Sequence, residues 1–139
     1  MSVKSEEISV KTTSGTDVVD ITLDIHKVIA GSGIVNGAVI LFVPGSTAAL
    51  TTIEYESGVI NDLKKAIDRI APQDIYYEHN ERWGDGNGYA HVRAAVLGPS
   101  LHIPLIDGKL TLGVWQQIVL LDFDNRPRQR QVIIQLLGE

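Results

Sequence analysis

The chain has 139 residues, of which 44% are hydrophobic and 21% are charged, so we expect one soluble globular domain over residues 1–139. It contains no cysteine, which excludes disulfides, a thiolate nucleophile and cysteine-based metal sites. The formal net charge of −5 argues against general nucleic-acid binding, which depends on neutralising phosphates. No apolar run approaches the roughly 20 residues of a membrane span, and the N-terminus lacks an apolar signal segment, so we expect a cytoplasmic protein without a membrane partner.

The first third of the chain predicts two strands and a short helix. Apolar and polar side chains alternate over residues 5–12, which indicates a half-buried strand. Residues 18–22 predict a second strand. From Leu23 the apolar positions take helical spacing, and Thr22 is the predicted cap of that helix. His26 has polar neighbours on the helix and is expected on the surface.

A continuous apolar run over residues 37–43 is rich in branched side chains, which is typical of a strand covered on both faces. We expect this strand at the centre of the main sheet. The loop after it contains Ser46 and Thr47, and a small-residue loop at the end of a buried strand is a common place to hold a ligand. Their hydroxyls are candidates for binding phosphate; a turn with locally satisfied hydroxyls is an equally good interpretation.

The next predicted strand, residues 48–55, carries a carboxylate at an unexpected position. Glu54 lies on a side that is otherwise apolar or small, and an ionised carboxylate is rarely buried without a partner. Glu54 is therefore a candidate site residue. The amphipathic helix that follows has Ser57 as its predicted cap and runs to about Ala71, and we expect it only to pack.

Residues 76–100 form the stretch on which the functional prediction is centred. It combines two histidines, His79 and His91, with a glycine-rich loop that leads into a helix predicted over residues 89–97. The free N–H groups and the dipole at such a helix start suit a phosphate or a carboxylate. The loop consists of Gly84, Asp85, Gly86, Asn87 and Gly88.

The residue pattern leaves the role of the two histidines open. His79 and His91 can be metal ligands, proton-transfer groups or ordinary polar residues. Because they are separated by a loop and lack a local spacing such as HExxH, the pattern alone does not establish a metal pair. Arg82 and Arg93 are the nearest cations for an anionic substrate, and solvated surface positions are the other interpretation for them.

The C-terminal third is predicted to be mostly β. Residues 101–105 and 110–112 flank Asp107–Gly108, a strong hairpin signal. Residues 117–123 and 131–137 predict a second pair of strands across the intervening turn. The expected fold is α+β, with a large, mainly antiparallel β-sheet system and two or three packed helices. The basic cluster near this turn is predicted to be solvated and consists of Arg126, Arg128 and Arg130.

Short motifs along the chain occur in the order found in a known family. They are His79–Asn80, Asp85–Asn87, Ala90–His91, Leu97–Ser100, Ile103–Pro104, Asp107–Gly108, Leu110–Gly113 and Trp115–Gln116. With these motifs the chain resembles the YjbQ-like family, described as secondary thiamine-phosphate synthases, over almost its whole length. Many members of that family carry a histidine where this chain has Gly45, so the resemblance does not imply a three-histidine metal site here. A metal site formed by the two histidines together with Glu54 or Asp85 remains an open alternative.

The resemblance implies a homotrimer that joins a pyrimidine diphosphate to a thiazole phosphate and releases diphosphate. A phosphorylated small molecule would be the partner, and a divalent metal, Mg or Zn, the cofactor. His79, His91 and Glu54 are the expected catalytic residues, and both histidines are expected metal ligands. The expected substrate-binding residues are Ser46, Thr47, Asn80, Gly84, Asp85, Gly86, Asn87, Gly88, Trp115 and Gln116.

Two other functions fit the residues. The first is a non-catalytic oligomeric protein that binds a phosphorylated metabolite or a metal in the same pocket. The second is a metal-dependent hydrolase, for which a firm metal at His79 and His91 would be the discriminating observation. No nucleophile is evident, because Ser46 and Ser100 do not lie in a GxSxG context.

Overall fold

The fold consists of two antiparallel sheets and four helices, and the computed structural model describes all 139 residues. This arrangement confirms the predicted α+β class. The strands are β1 (Ser2–Lys11), β2 (Asp17–Asp20), β3 (Gly37–Phe42), β4 (Ala48–Ile53), β5 (Ser100–Ile106), β6 (Lys109–Leu110), β7 (Gln117–Asp122) and β8 (Gln129–Gly138). The helices are α1 (Thr22–Ser32), α2 (Ser57–Ile70), α3 (Glu78–Trp83) and α4 (Gly88–Leu97).

The larger sheet has the strand order β1-β8-β3-β5-β6, and the smaller sheet has the order β2-β7-β4. As predicted, β3 lies at the centre of the larger sheet. Its two faces differ, because Val39 and Leu41 are fully buried whereas Ile40 is only half-buried and Phe42 is exposed. The prediction that this strand is covered on both faces is therefore wrong. One face of the larger sheet packs against the core, and the other is open.

The strand covered on both faces is β7. Ile118 and Leu120 belong to the core between the two sheets. Val119 and Leu121 belong to a second core, in which the smaller sheet packs against α2 and α4. Because both sets of alternating side chains are buried, β7 has the continuous apolar sequence of a doubly covered strand.

The predicted pairing of the last two strands is wrong. β7 pairs with β2 and β4, whereas β8 pairs with β1 and β3, so the chain crosses from one sheet to the other between them. The connection starts at the buried Asp122 and Asp124 and then runs through exposed residues 125–127. The hairpin between β5 and β6 is confirmed, and Asp107 and Gly108 have the positive φ angles, 50° and 76°, of a two-residue turn.

The helix starts differ in detail from the prediction. Helix α2 is capped by Glu56 rather than Ser57, because the Glu56 carboxylate accepts the N–H groups of Gly58 and Val59 at 2.8 and 2.9 Å. These two hydrogen bonds lower the pKa of Glu56 below its ordinary value. Thr22 lies within α1 and is not its cap. No helix combines the length and hydrophobicity that crossing a membrane requires.

Candidate metal centre

Two histidines and one carboxylate meet where α3 is followed by α4. The ring centroids of His79 and His91 lie 4.4 Å apart, with the ring planes tilted by 45°. His79 Nδ1 lies 3.3 Å from Asp85 Oδ1. One potential ligand atom from each of these three residues lies within 4.8 Å of the other two. The structure therefore joins two of the predicted catalytic residues to a carboxylate of the glycine-rich loop.

Local geometry in the glycine-rich loop explains this meeting. Helix α3, which the residue pattern did not predict, ends at Gly84. The φ of Gly84, 65°, is left-handed, and its N–H donates to the Asn80 carbonyl at 2.8 Å. The Asp85 carboxylate accepts the Asn87 N–H at 3.1 Å, which closes a short turn. Helix α4 then begins at Gly88, whose N–H donates to Asn80 Oδ1 at 2.9 Å. The turn thus brings the two helices, and one histidine on each, close together.

One atom of the cluster lacks a hydrogen-bond partner. His79 Nδ1 is enclosed by the protein and forms no hydrogen bond, although Asp85 Oδ1 lies 3.3 Å away. An enclosed polar atom without a partner costs roughly 1–3 kcal/mol. A metal ion at the centre of the cluster would satisfy this atom. Two imidazoles and a carboxylate are also a donor set that suits Zn²⁺ and related ions, so the residues present fit a metal.

A cleft of about 220 Å³ opens beside His91, between α4 and the loop that follows β3. Three larger clefts, two of about 370 Å³ and one of about 250 Å³, contain none of the three clustered residues. The cleft beside His91 is therefore the space in which a ligand can approach the cluster. Its lining consists of Gly45, Ser46, Ala48, His91, Ala94, Ala95 and Pro99.

The two hydroxyls predicted to bind phosphate have different surroundings. Thr47 is buried, and its hydroxyl donates to Asp124 Oδ2 at 3.0 Å while accepting from Arg130 Nη2 at 2.6 Å. This hydroxyl is therefore already used inside the protein. Ser46 is exposed at the cleft and keeps its hydroxyl free for a ligand.

A buried charge network lies behind that loop. Arg130 Nε and Nη2 donate to the Asp122 carboxylate at 2.7 and 2.9 Å, and Arg128 Nε donates to Asp124 Oδ2 at 3.1 Å. The prediction of a solvated basic cluster is wrong for Arg130, because both carboxylates and this arginine are buried. The sequence does carry a signal for the network, since two aspartates two residues apart precede two arginines with the same spacing.

The charge network is connected to the glycine-rich loop. Burial by itself raises the pKa of Asp124, but hydrogen bonds from Thr47 and Asn87, together with the Arg128 charge and the Arg126 N–H, hold that pKa below its ordinary value. The pKa of Arg130 is raised, mainly by its hydrogen bonds to Asp122. Asn87 also accepts the N–H of the residue after Asp124, at 3.2 Å, so the charge network supports the loop that carries Asp85.

Three of the five backbone N–H groups in the glycine-rich loop are already used inside the protein. The N–H groups of Gly84, Asn87 and Gly88 all donate to acceptors within the protein, and Asn80 supplies two of those acceptors. The side chain of Asn125 donates to the Asp85 carbonyl at 2.8 Å. The loop therefore holds the clustered residues in place. The free hydroxyl of Ser46 and the cleft lie beside it.

The remaining predicted site residues lie outside the cluster. Glu54 follows the end of β4 and is exposed, so the prediction that it lies on a covered face is wrong. Trp115 is 73% exposed, and Gln116 Nε2 donates to a β4 threonine hydroxyl at 2.9 Å. Arg93 is buried and bonds to Asp68 at 2.9 Å, so it is a structural cation.

Sequence and structure comparisons agree on the relatives of this chain. A family model described as UPF0047 protein YjbQ-like matches residues 6–139. A UPF0047 protein of Archaeoglobus fulgidus is 34% identical over 131 residues, covering 94% of this chain and 99% of that protein. The UPF0047 protein YugU of Bacillus subtilis is 32% identical over 133 residues, covering 94% and 97%. The crystal structure of a hypothetical protein from Aeropyrum pernix superposes with a TM-score of 0.91 at 32% identity, covering 98% and 99%.

These relatives correct the expected activity. They are named only as UPF0047 or hypothetical proteins. A crystal structure from Sulfolobus solfataricus, with a TM-score of 0.89 and 31% identity over 99% of this chain and 100% of its own, is described as a YbjQ-like protein of unknown function. The prediction of thiamine-phosphate synthase activity is therefore not supported by the relatives. The predicted family is confirmed: the chain belongs to the UPF0047 YjbQ-like family.

Proposed function

We propose that the protein binds one divalent transition-metal ion through His79, Asp85 and His91. The observation that carries the proposal is the enclosed Nδ1 of His79, which has no hydrogen-bond partner and lies 3.3 Å from Asp85 Oδ1. Coordination would satisfy both atoms at once. The imidazole of His91, whose ring centroid lies 4.4 Å from that of His79, completes a set of three ligands.

The donor set favours Zn²⁺ over Mg²⁺. Imidazole nitrogen suits zinc, iron, nickel and copper, whereas Mg²⁺ and Ca²⁺ prefer oxygen ligands. Three protein ligands leave a coordination position open, as in catalytic zinc sites. When bound, such an ion polarises a carbonyl or phosphoryl oxygen and lowers the pKa of a bound water. His79, His91 and Asp85 would hold and orient the ion, and the cleft beside His91 would admit its ligand.

Metal titration of the metal-free protein tests the proposal. We expect one Zn²⁺ or Co²⁺ per chain by calorimetry, with a Co²⁺ absorption spectrum of low coordination number. His79→Ala and His91→Ala should each weaken binding by more than about tenfold, because each removes a ligand. Asp85→Asn should weaken binding and keep the fold.

His26→Ala is the matched control, since His26 is an exposed histidine on α1 and outside the cluster. Its affinity for the metal should equal that of the unaltered protein. Equal affinity in His79→Ala would refute the proposed site. Tight binding of Mg²⁺ with no binding of Zn²⁺ would contradict the assignment of the ion.

We also propose that the protein is a homotrimer, as the resemblance implies. The open face of the larger sheet supports a subunit contact, because its three central strands carry no charged side chain there, although 21% of the chain is charged. Light scattering should give three times the chain mass of 15.2 kDa. A mass of 15.2 kDa in solution would contradict it. The side chains on these strands are Gln131, Ile133, Gln135 and Leu137 of β8, Ala38, Ile40 and Phe42 of β3, and Ser100, His102, Pro104 and Ile106 of β5.

A further inference from the structure

Asn80 forms hydrogen bonds to both ends of the glycine-rich loop. Its backbone carbonyl accepts the N–H of Gly84, which ends α3, at 2.8 Å. Its side-chain Oδ1 accepts the N–H of Gly88, which begins α4, at 2.9 Å. Asn80 directly follows His79, and His91 lies in the first turn of α4. One residue of α3 therefore links the two helices that carry the clustered histidines.

The junction between these helices is tightly packed at Gly88. A Cβ placed on this residue would lie 2.6 Å from Tyr77 Cβ and 3.0 Å from Asn80 Oδ1. Because glycine has no Cβ, the first residue of α4 can approach the start of α3 closely enough to donate to Oδ1. The hydrogen bond and the close packing therefore fix the same contact.

The loop backbone by itself constrains the separation of the histidines only weakly. Three of its five residues are glycine, which allows more backbone conformations than any other residue. The hydrogen bonds from the Asn87 N–H and the Asn125 side chain to Asp85 do not involve α3. The bond from Gly88 to Asn80 Oδ1 spans eight positions and joins α3 to α4 directly. The Asn80 side chain thus supplies the constraint that the loop backbone lacks.

We propose that Asn80 is the positioning residue of the metal centre, because its Oδ1 holds α4 against α3 and keeps the rings of His79 and His91 within reach of one ion. The ring-centroid separation of 4.4 Å is the distance that this contact maintains. Ligands that are already in place lose less conformational entropy on binding, so the ion binds more tightly. The inference rests on the proposed function, since it assigns Asn80 a role toward the ion that the two histidines and Asp85 would hold.

Asn80→Ala removes the Oδ1 acceptor and tests the proposal with two readouts. The affinity for Zn²⁺ measured by calorimetry should fall about tenfold, as it does for other groups that orient metal ligands. In the metal-free protein, the nuclear Overhauser signal between the ring protons of His79 and His91 should weaken or disappear. Asn80→Asp keeps an acceptor oxygen in the same place, so it should retain this signal and bind Zn²⁺ at least as tightly as the unaltered protein.

Glu56→Ala is the matched control at another helix start. The Glu56 carboxylate accepts the N–H groups of Gly58 and Val59 in the first turn of α2, outside the cluster. The affinity for Zn²⁺ and the histidine signal should both be unchanged in this variant. A similar weakening of Zn²⁺ binding in both alanine variants would indicate a general loss of stability and would overturn the role assigned to Asn80.

Gly88→Ala perturbs the same contact from the other helix. The added Cβ would meet Tyr77 and Asn80 and push α4 away from α3, so the affinity for Zn²⁺ should again fall about tenfold. This variant decides the question if Asn80→Ala does not fold. Unchanged affinity in Gly88→Ala would contradict the proposal.

The outcomes separate this inference from the proposed metal site. If the unaltered protein binds Zn²⁺ and Asn80→Ala binds it equally well, the metal site stands and the positioning role is refuted. A histidine signal of full strength in metal-free Asn80→Ala, or equal weakening of Zn²⁺ binding in Asn80→Asp, would also overturn the positioning role. Absence of Zn²⁺ binding in the unaltered protein would refute the proposed function and this inference with it.

Discussion

Replacing Arg130 by methionine tests the buried charge network most directly. The substitution removes three hydrogen bonds, two to the Asp122 carboxylate at 2.7 and 2.9 Å and one to the Thr47 hydroxyl at 2.6 Å. Asp122 is fully buried and would retain only the Thr12 hydroxyl at 2.6 Å and the Asp124 N–H at 3.0 Å. Breaking a buried ion pair from one side costs about 3–5 kcal/mol.

A loss of this size is a large part of the typical domain stability of about 5–15 kcal/mol. Urea unfolding at pH 7 should show a lower midpoint with an unchanged slope, since the surface exposed on unfolding stays the same. Arg126→Met is the matched control, because Arg126 is an exposed member of the same basic cluster. Its unfolding free energy should change by no more than about 0.5 kcal/mol.

The double variant Asp122→Leu with Arg130→Met provides a second check. It removes the carboxylate that the single variant leaves buried without its main partner. We expect it to be more stable than Arg130→Met alone, because an apolar pair avoids the desolvation of an unpaired charge. If Arg130→Met costs less than about 1 kcal/mol, the network does not hold the two sheets together and our reasoning is wrong.

Three further predictions concern stability. The pKa of Asp124 is lowered in the folded protein, so its contribution to the free energy of unfolding is present above the unfolded pKa of about 3.9 and is lost as the pH falls through the folded pKa. Asp124→Asn should therefore flatten the acid side of a plot of melting temperature against pH. Tyr89→Phe removes a buried hydroxyl that has no partner and should be neutral or stabilising in urea unfolding; a loss above about 1 kcal/mol would show that the hydroxyl is bonded. Leu120→Ala, in the fully buried centre of β7, should cost about 2–5 kcal/mol by the same assay, and a cost below about 1 kcal/mol would contradict its place in the core.

Local patterns predicted the elements whose stability depends on neighbours in sequence. The alternation around Ile8 and Val10 placed β1, and the Asp107–Gly108 pair placed the hairpin of β5 and β6. The amphipathic spacing after Ser57 placed α2. In each case the turn geometry or the period of the side chains is set within a few residues, so the sequence carries the information locally.

The candidate site was predicted only in part. The two histidines stood out because they flank a glycine-rich loop, and the structure brings their rings together. The carboxylate beside them is that of Asp85, whereas Glu54 follows the end of β4 and lies outside the cluster. Which of these two carboxylates lies beside the histidines depends on the short helix α3 and the turn after it. The hydrogen bonds to Asn80 that fix this turn leave no periodic pattern in the sequence.

The sequence by itself determined the class of fold, most of the secondary structure and the region of the candidate site, because these follow from side-chain periodicity and turn chemistry. The tertiary structure alone decided which strands pair and which charges are buried. Thr12 bonds to Asp122 across 110 positions, and Arg130 bonds to Thr47 across 83. An arginine side chain such as that of Arg130 is stable in water or beside a buried carboxylate, and only the folded chain brings that carboxylate within reach.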